Sequence, residues 1–564
     1  MSDPVAPAPN REWHLFIPKL ITCLREGYDA KSLRADLFAG LTVAIVALPL
    51  SMALAIASGA PPERGLFTAV VAGFFVSALG GSRHQIGGPT GAFVVVVFNI
   101  IARFGYDGLV LATLMAGLML IAAGLARLGT FIKYVPYPVV TGFTSGIAVV
   151  IFTSQVGDIL GLTLGKVPGS VAGKWAAYGA HLSSFTPAAF ALALGSLALI
   201  LLARRYVPKA PGFLMAVVFS ALAVTLLHLP VETIGSRFGA MPSMLPAPHW
   251  PAISWDRMVA LFPSAFTIFI LAGIESLLSA VVADGMTGRR HRSNCELVAQ
   301  GVANIASVSF GGLPATGALA RTATNIRAGA RSPIAGIIHA LAVLLIMVLF
   351  APYASFIPLA ALGAILAVVA WNMAEVKSFT LLLSAPPGDR LVLLLTFFLT
   401  IFVDLSVAIE VGMVLTAFLF MHRMANVVEL STHTKLLSED VDDSAPSEAM
   451  EREAWPEGVE VFQLDGPFFF GVAARFEENL LRMGVGRTRA IILRMSRVPL
   501  IDSTGAAALK KIVGSASARG VLVILSGVQP AVAETLTRMK LDVRKAANFP
   551  EARAMAARLL EKAQ

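Results

Sequence analysis

Long apolar runs separated by short polar joints fill the chain as far as about residue 425. A helix needs about twenty apolar residues to cross the hydrocarbon core of a bilayer. Runs suited to that task begin near Leu37, Gly65, Thr90, Leu109, Val139, Ala188 and Phe213, and again near Val259, Leu297, Thr316, Ile334, Pro358, Leu391 and Val407. The pattern predicts a polytopic all-α membrane domain over 34–425 with about fourteen spans in two sets of seven, about 34–229 and 257–425. An odd number of spans per set turns the second set upside down relative to the first, so the two sets are expected to be inverted repeats.

After Met424 the pattern changes. The stretch "STHTKLLSEDVDDSAPSEAMEREAWPEG" is polar and acidic and is expected to be a linker over 426–457. Beyond it, "VEVFQLDG", "RAIILRM" and "VLVILSG" are short apolar runs of the kind buried strands make. They alternate with helical stretches around Phe476–Met483, Thr504–Ala516 and Ala531–Met539, which predicts a small soluble α/β domain over 458–564.

The third run of each set is broken at its start, by "GGPTGA" from Gly87 to Ala92 and by "GGLPATGA" from Gly311 to Ala318. Non-helical backbone at membrane depth is tolerated only where it lines an enclosed or watery cavity. A helix that starts there also presents unpaired N–H groups and the positive end of its dipole, which favour an anion. Equivalent broken segments in inverted halves are the sequence pointer to a transporter's binding site. The candidate anion-binding residues are therefore Thr90, Gly91 and Ala92 in the first half, and Ala315, Thr316, Gly317 and Ala318 in the second. Thr90 and Thr316 are expected to cap the two short helices, while the glycines admit a ligand close to the backbone. Kinks packed through small residues are the competing explanation.

Arg321, in the second short helix, is a charge at membrane depth and joins the candidate site, with snorkelling as the alternative. Glu275 lies fourteen positions before Arg289 in "FTIFILAGIESLLSAVVADG", hence about 20 Å of helix from that end. It is the candidate coupling group for a proton, and Ser279, one turn on, shares its face. A Glu–Ser pair for Na⁺, or a carboxylate bonded to a neighbouring helix end, are the other readings. Asp158, Asp404 and Glu410 lie at the ends of runs and are taken as loop or cap residues.

Composition fits this picture: the chain has 564 residues, 56% hydrophobic and 14% charged. The net charge of +9 sits mainly in the joints and reflects basic loops on the cytoplasmic face, with no nucleic-acid partner implied. The N-terminal residues 1–33 form a predicted cytoplasmic arm in which Trp13, Phe16 and Ile17 can rest on membrane lipid. Two cysteines without metal-type spacing predict neither a disulfide framework nor a metal site. No nucleophile–base arrangement or phosphate loop is present, so neither an enzyme nor a cofactor is expected. The expected location is a bacterial inner membrane, multi-pass, with both termini cytoplasmic.

Three stretches in combination, "DLFAGLTVAIVALPLSMALAIASGAPPERGLF", "GSRHQIGGPTGAF" and "GALARTATNIRAGARSPIAG", resemble the sulfate permease family, or solute carrier family 26. "LIDSTGAAAL" resembles part of that family's STAS domain, and "GGPTGAFVVV" with "AGIESLLSAVVADGMTG" is similar to its bacterial C4-dicarboxylate-transporting branch. The resemblance implies core and gate domains, an elevator-like movement, a homodimer, and an anion such as sulfate or a C4-dicarboxylate bound between the third and tenth spans. It also implies an Asp at the place of Glu275, and a Thr at that of Ser279, in sodium-coupled bicarbonate relatives. Relatives of the vertebrate motor type have an arginine matching Arg321. In the related anti-anti-sigma factors a serine matching Ser503 is phosphorylated, which makes Ser503 a candidate regulatory site and the STAS domain a candidate docking surface for a cytoplasmic partner. Helix capping by Ser503 is the simpler expectation.

Overall fold

The computed structural model describes residues 15–130, 136–165, 167–207, 210–403, 405–427, 429–432, 458–468 and 488–561. Trp13, the greater part of the expected linker and the helix expected at Phe476–Met483 lie outside these residues. The chain divides into two compact units, residues 1–414 and 415–564.

The first unit opens with a short helix, α1 (Lys19–Arg25), followed by α2 (Ala30–Ala57) and α3 (Pro62–Leu79). A two-residue strand, β1 (Gly87–Gly88), and a single 3-10 turn at Gly91–Phe93 lead into α4 (Val94–Leu125). Then come α5 (Tyr137–Leu160), α6 (Val171–Ala180), α7 (Pro187–Tyr206), α8 (Gly212–Leu227) and α9 (Ile234–Phe238). α10 (Trp255–Thr287) and α11 (Ser293–Ser309) precede a second two-residue strand, β2 (Thr316–Gly317), and the nine-residue α12 (Leu319–Arg327). α13 (Ile334–Ala354), α14 (Leu359–Met373), α15 (Val376–Leu383), α16 (Pro387–Phe402) and α17 (Leu405–Val427), whose residues run past the boundary of the unit, complete the helical part.

Local signals explain many of the boundaries. Asp29 accepts from Ser32 N at the start of α2, and Ser254 accepts from Arg257 N at the start of α10. Prolines occupy the first turns of α3, α5, α7 and α16, where a missing N–H costs nothing. Among the described residues, eight helical stretches are long and apolar enough to cross a membrane, Gly91–Leu125 among them. The runs expected near Thr90 and Leu109 are two helices within the stretch Gly91–Leu125, joined across a kink where Gly105 takes φ 70° and ψ −178°. A side chain there would be strained, so glycine permits the bend.

The helices of this unit pack as two groups. In one, α4 lies against α10 and α11, α13 against α2 and α3, and α12 against α10 and α2. In the other, α5 lies against α14 and α16, and α7 against α8 and α14. The arm does not simply trail: Lys19 N donates to Gly80 O at 2.9 Å, and Arg292 Nη1 donates to Ile17 O at 2.5 Å and Thr22 Oγ1 at 2.9 Å. Arg83 bonds Glu26 at 2.6 Å, which holds that carboxyl below its ordinary range.

The second unit is a five-stranded sheet in the order β3 (Glu429–Thr432), β4 (Val459–Asp465), β5 (Ala490–Arg497), β6 (Leu522–Ser526), β7 (Arg544–Ala546). Among the described strands of this sheet, only the β3–β4 pairing is antiparallel. Parallel neighbours need crossover connections, which α18 (Ser503–Ala518) and α19 (Pro530–Arg538) supply before α20 (Phe549–Glu561) ends the described fold. Both faces are covered: Ile491, Leu493, Val523 and Leu525 join one cluster, Ile492 and Ile524 another. Residues 429–432, read as the start of the linker, are instead an edge strand. The cap of α18 is also corrected: Asp502 accepts from Gly505 N at 2.6 Å, so Ser503 is the first helical residue, with an exposed side chain.

Candidate functional site: two broken helices around a membrane cavity

The two broken segments cross and pair. β1 and β2 are antiparallel partners, with Gly87 opposite Gly317 and Gly88 opposite Thr316. One further bond extends the ladder, from Ala318 N to Ile86 O at 2.8 Å. Backbone that would be unpaired at membrane depth is thereby satisfied within the protein.

Side chains hold each lead-in segment to the ladder. In the first, Gln85 Nε2 donates to Ser276 Oγ at 2.8 Å, Ile86 N donates to Thr322 Oγ1 at 3.1 Å, and Asn325 Nδ2 donates to His84 O at 2.9 Å. In the second, Asn304 acts like a strand neighbour of Ala315, accepting from its N at 2.9 Å and donating to its O at 2.8 Å. Thr68 Oγ1 accepts from Leu313 N at 2.7 Å. Arg64 donates to Gly311 O at 3.0 Å and stacks on Tyr106, whose hydroxyl donates to Gly312 O at 2.7 Å.

Past the ladder each segment turns helical and meets a cavity of about 350 Å³. Its wall is mostly apolar, with Leu50 from α2, Phe143 from α5, Leu271 from α10 and Met373 from α14. Both helix groups therefore face it. Thr90, Gly91, Ala92, Glu275, Ala318 and Arg321 all line this cavity, which gathers six of the sequence-derived site residues in one place. Thr316 and Gly317 sit in the ladder and Ala315 just before it, none of them lining the cavity, and Ser279 turns aside to donate to Thr322 Oγ1 at 3.3 Å.

The expected threonine caps are not formed. Thr90 makes no side-chain cap bond; its Oγ1 donates to Glu275 Oε2 at 2.9 Å. Thr316 sits inside β2 and donates to Ala272 O at 3.0 Å. Each side chain is oriented toward the acceptor it donates to, and neither hydroxyl oxygen accepts from a helix N–H. α12 begins only at Leu319, with Ala318 at its cap. Its first i→i−4 bond runs from Thr322 N to Ala318 O, which leaves the N–H groups of residues 319–321 without intrahelical partners.

Arg321 is the third residue of α12 and only 1% exposed. Nη2 donates to Ser51 Oγ at 3.1 Å, while Nε and Nη1 have no hydrogen-bond partner among the described residues. The guanidinium fits because Gly88 has no side chain: a Cβ there would collide with Nη1. Gly88→Ala is accordingly expected to displace Arg321 and weaken anion uptake on the order of tenfold, checked as a raised half-saturation concentration at normal expression. Ser51, Asn304 and Phe143 were not singled out in the sequence; a serine or asparagine inside an apolar run is a weak signal, and Phe143 carries none.

What this arrangement can do is hold an anion against α12's first turn and the Arg321 guanidinium, with a protonatable carboxyl in the same wall. Comparisons with known proteins agree on the kind of chain this is. The family model described as "Sulfate permease family" matches residues 33–396, and the STAS domain model matches residues 455–547. The Bacillus subtilis protein YvdB, assigned provisionally to sulfate transport by its name, is 41% identical over 92% of this chain and 95% of its own length. The bicarbonate transporter BicA of a Picosynechococcus species is 31% identical over 91% of this chain and 92% of its own. Among solved structures, the transmembrane domain of a cyanobacterial BicA superposes with a TM-score of 0.61 at 34% identity, covering 68% of this chain and 98% of that one. The murine solute carrier 26 family member A9 superposes with a TM-score of 0.85 at 19% identity, covering 99% and 96%, which shows the fold. The chain belongs to the sulfate permease family and combines its polytopic helical membrane domain with a STAS domain.

Proposed function

We propose that this protein is a secondary active anion transporter of a bacterial inner membrane, coupled to protons and carrying sulfate or a C4-dicarboxylate. The observation that carries the reading is the crossing of β1 and β2, which sets α12's first turn and Arg321 beside Glu275 in one cavity. A single buried guanidinium attracts an anion, but an ionised Glu275 in the same low-dielectric wall repels it. Protonating Glu275 removes that repulsion, so binding of the anion favours uptake of a proton. This is coupling in the thermodynamic sense, since each ligand raises the affinity for the other.

The movement proposed is elevator-like: the group containing α2, α3, α4, α10, α11, α12 and α13 carries the site past the group containing α5, α7, α14 and α16. The protein would work as a homodimer, with both termini in the cytoplasm. The inverted seven-plus-seven repeat is part of the same proposal. It is supported by two broken segments that pair with each other from equivalent places in the chain. For the STAS domain, the exposed Ser503 next to its Asp502 cap is the proposed phosphorylation site and partner contact.

Sodium-coupled bicarbonate transport or exchange is the rival within the family, favoured by the similarity to BicA. Ser279 bonding Thr322 rather than facing Glu275 supports the proton reading over a Glu–Ser sodium site. Proteoliposome uptake of labelled sulfate, succinate and bicarbonate, each with and without an inward proton or sodium gradient, separates these readings. Saturable uptake of sulfate or succinate that rises with the proton gradient is the expected result. Bicarbonate uptake driven by sodium alone would replace the proposal with the rival, and unsaturable conductance would indicate a channel.

A further inference from the structure

His339, on α13, is fully buried, and neither ring nitrogen has a hydrogen-bond partner among the described residues. Leaving both nitrogens of an imidazole unpaired in a membrane domain is costly, and such a group in a native fold calls for a ligand. Its place identifies that ligand. α13 packs against α2 and α3, and a Cβ built on Gly73 of α3 would lie 3.6 Å from His339 Nδ1 and 3.2 Å from Gly87 O. One turn earlier on α3, Ala69 Cα lies beside Gly88, whose missing side chain leaves the space taken by Arg321 Nη1. His339 and Arg321 therefore flank consecutive residues of β1, on the side packed against α3.

A helical turn is about 5.4 Å along the axis, close to the span of two hydrogen bonds in series. Arg321 brings an unpartnered donor, Nη1, to this place, and a neutral imidazole brings one acceptor and one donor. Gly73 leaves the space of a small side chain open beside the imidazole and Gly87 O. A polar, enclosed place with several unmet groups is where proteins keep internal water.

We propose that Arg321 and His339 share an internal water site behind β1, and that His339 is a positioning residue which holds Arg321 through that water. The site uses the rear of the guanidinium, away from the proposed anion, and rests on the anion-transport reading only for its consequence. When no anion is bound, water and His339 keep the buried guanidinium hydrogen-bonded and in place. Each transport cycle then begins with Arg321 already aimed.

The test needs no transported substrate. Thermal unfolding of the purified full-length protein in lipid nanodiscs is compared for the wild type, His339→Leu and His339→Gln, and for His339→Leu in an Arg321→Ala background. A water-bridged pair predicts a lower unfolding temperature for His339→Leu, substantial recovery with Gln, and no loss from His339→Leu once Arg321 is gone. An unchanged or raised temperature for His339→Leu in the wild-type background overturns the proposal, because a dry, unpaired imidazole is better replaced by leucine. An equal loss in both backgrounds, or no rescue by Gln, reduces His339 to packing and overturns it as well. Should the variants fail to fold, a single-particle structure of the wild type that resolves water decides: density within hydrogen-bond reach of both side chains is expected, and a dry contact refutes the site. The anion-transport reading falls separately, on wild-type proteoliposomes that show no saturable uptake of sulfate, succinate or bicarbonate.

Discussion

Replacing Arg321 by alanine is expected to weaken anion affinity by about a hundredfold while leaving the unfolding temperature of the purified protein unchanged or raised. The two effects have opposite origins. A hydrogen bond to a charged group contributes about 1.5–3 kcal/mol, and the anion also loses its nearest full positive charge. For the fold, the balance runs the other way. The side chain is 1% exposed, its one bond is to Ser51, and Nε and Nη1 are unpartnered among the described residues. Water shared with His339 offsets only part of the cost of burying this charge, so its removal relieves a net cost. Measuring uptake kinetics and thermal unfolding on the same preparation checks both. Loss of uptake together with a fall in unfolding temperature would assign Arg321 to the architecture and leave the site without its cation.

Glu275→Gln is expected to abolish proton-driven accumulation while preserving exchange of anion against anion. Glutamine keeps the size of the side chain and can still accept the bond that Thr90 Oγ1 makes to Glu275 at 2.9 Å. What it loses is the ability to change charge. The repulsion that made anion binding depend on a proton disappears, so the empty and loaded carriers no longer differ in their need for one. Uptake into proteoliposomes should therefore reach the equilibrium level and stop there, whatever pH gradient is imposed. Accumulation above that level in the variant would move the coupling to another group.

Much of this site could be read from residue types alone. Gly-Gly-Pro-Thr-Gly cannot sit comfortably in a continuous membrane helix, and an arginine and a glutamate within apolar runs stand out by charge. Those residues do meet at one cavity. The way they meet was not legible. A strand of two residues has no period to detect, so the pairing of Gly87 with Gly317 leaves no trace in the pattern. Capping by Thr90 was a sound local inference, but it was overridden by a carboxylate that is distant in sequence and close in space. In the second unit, Glu429–Thr432 form an edge strand with only one neighbour in the sheet and none of the apolar run that marks β5. Its polar composition resembles a linker for that reason.

The ladder also bears on how the chain is made. His84 O is bonded by Asn325, Gln85 by Ser276, Ile86 N by Thr322 and Ile86 O by Ala318, and Gly87 and Gly88 pair with residues of β2. Each of these partners is translated long after the segment it completes. Synthesis and insertion run from the N-terminus, so the first half enters the bilayer with a stretch of backbone whose bonding it cannot finish alone. Until β2 emerges, that stretch must be shielded by the insertion machinery, by water, or by provisional contacts. A chain truncated between the halves is thus not half a transporter but an unfinished membrane protein, and a natural target for quality control.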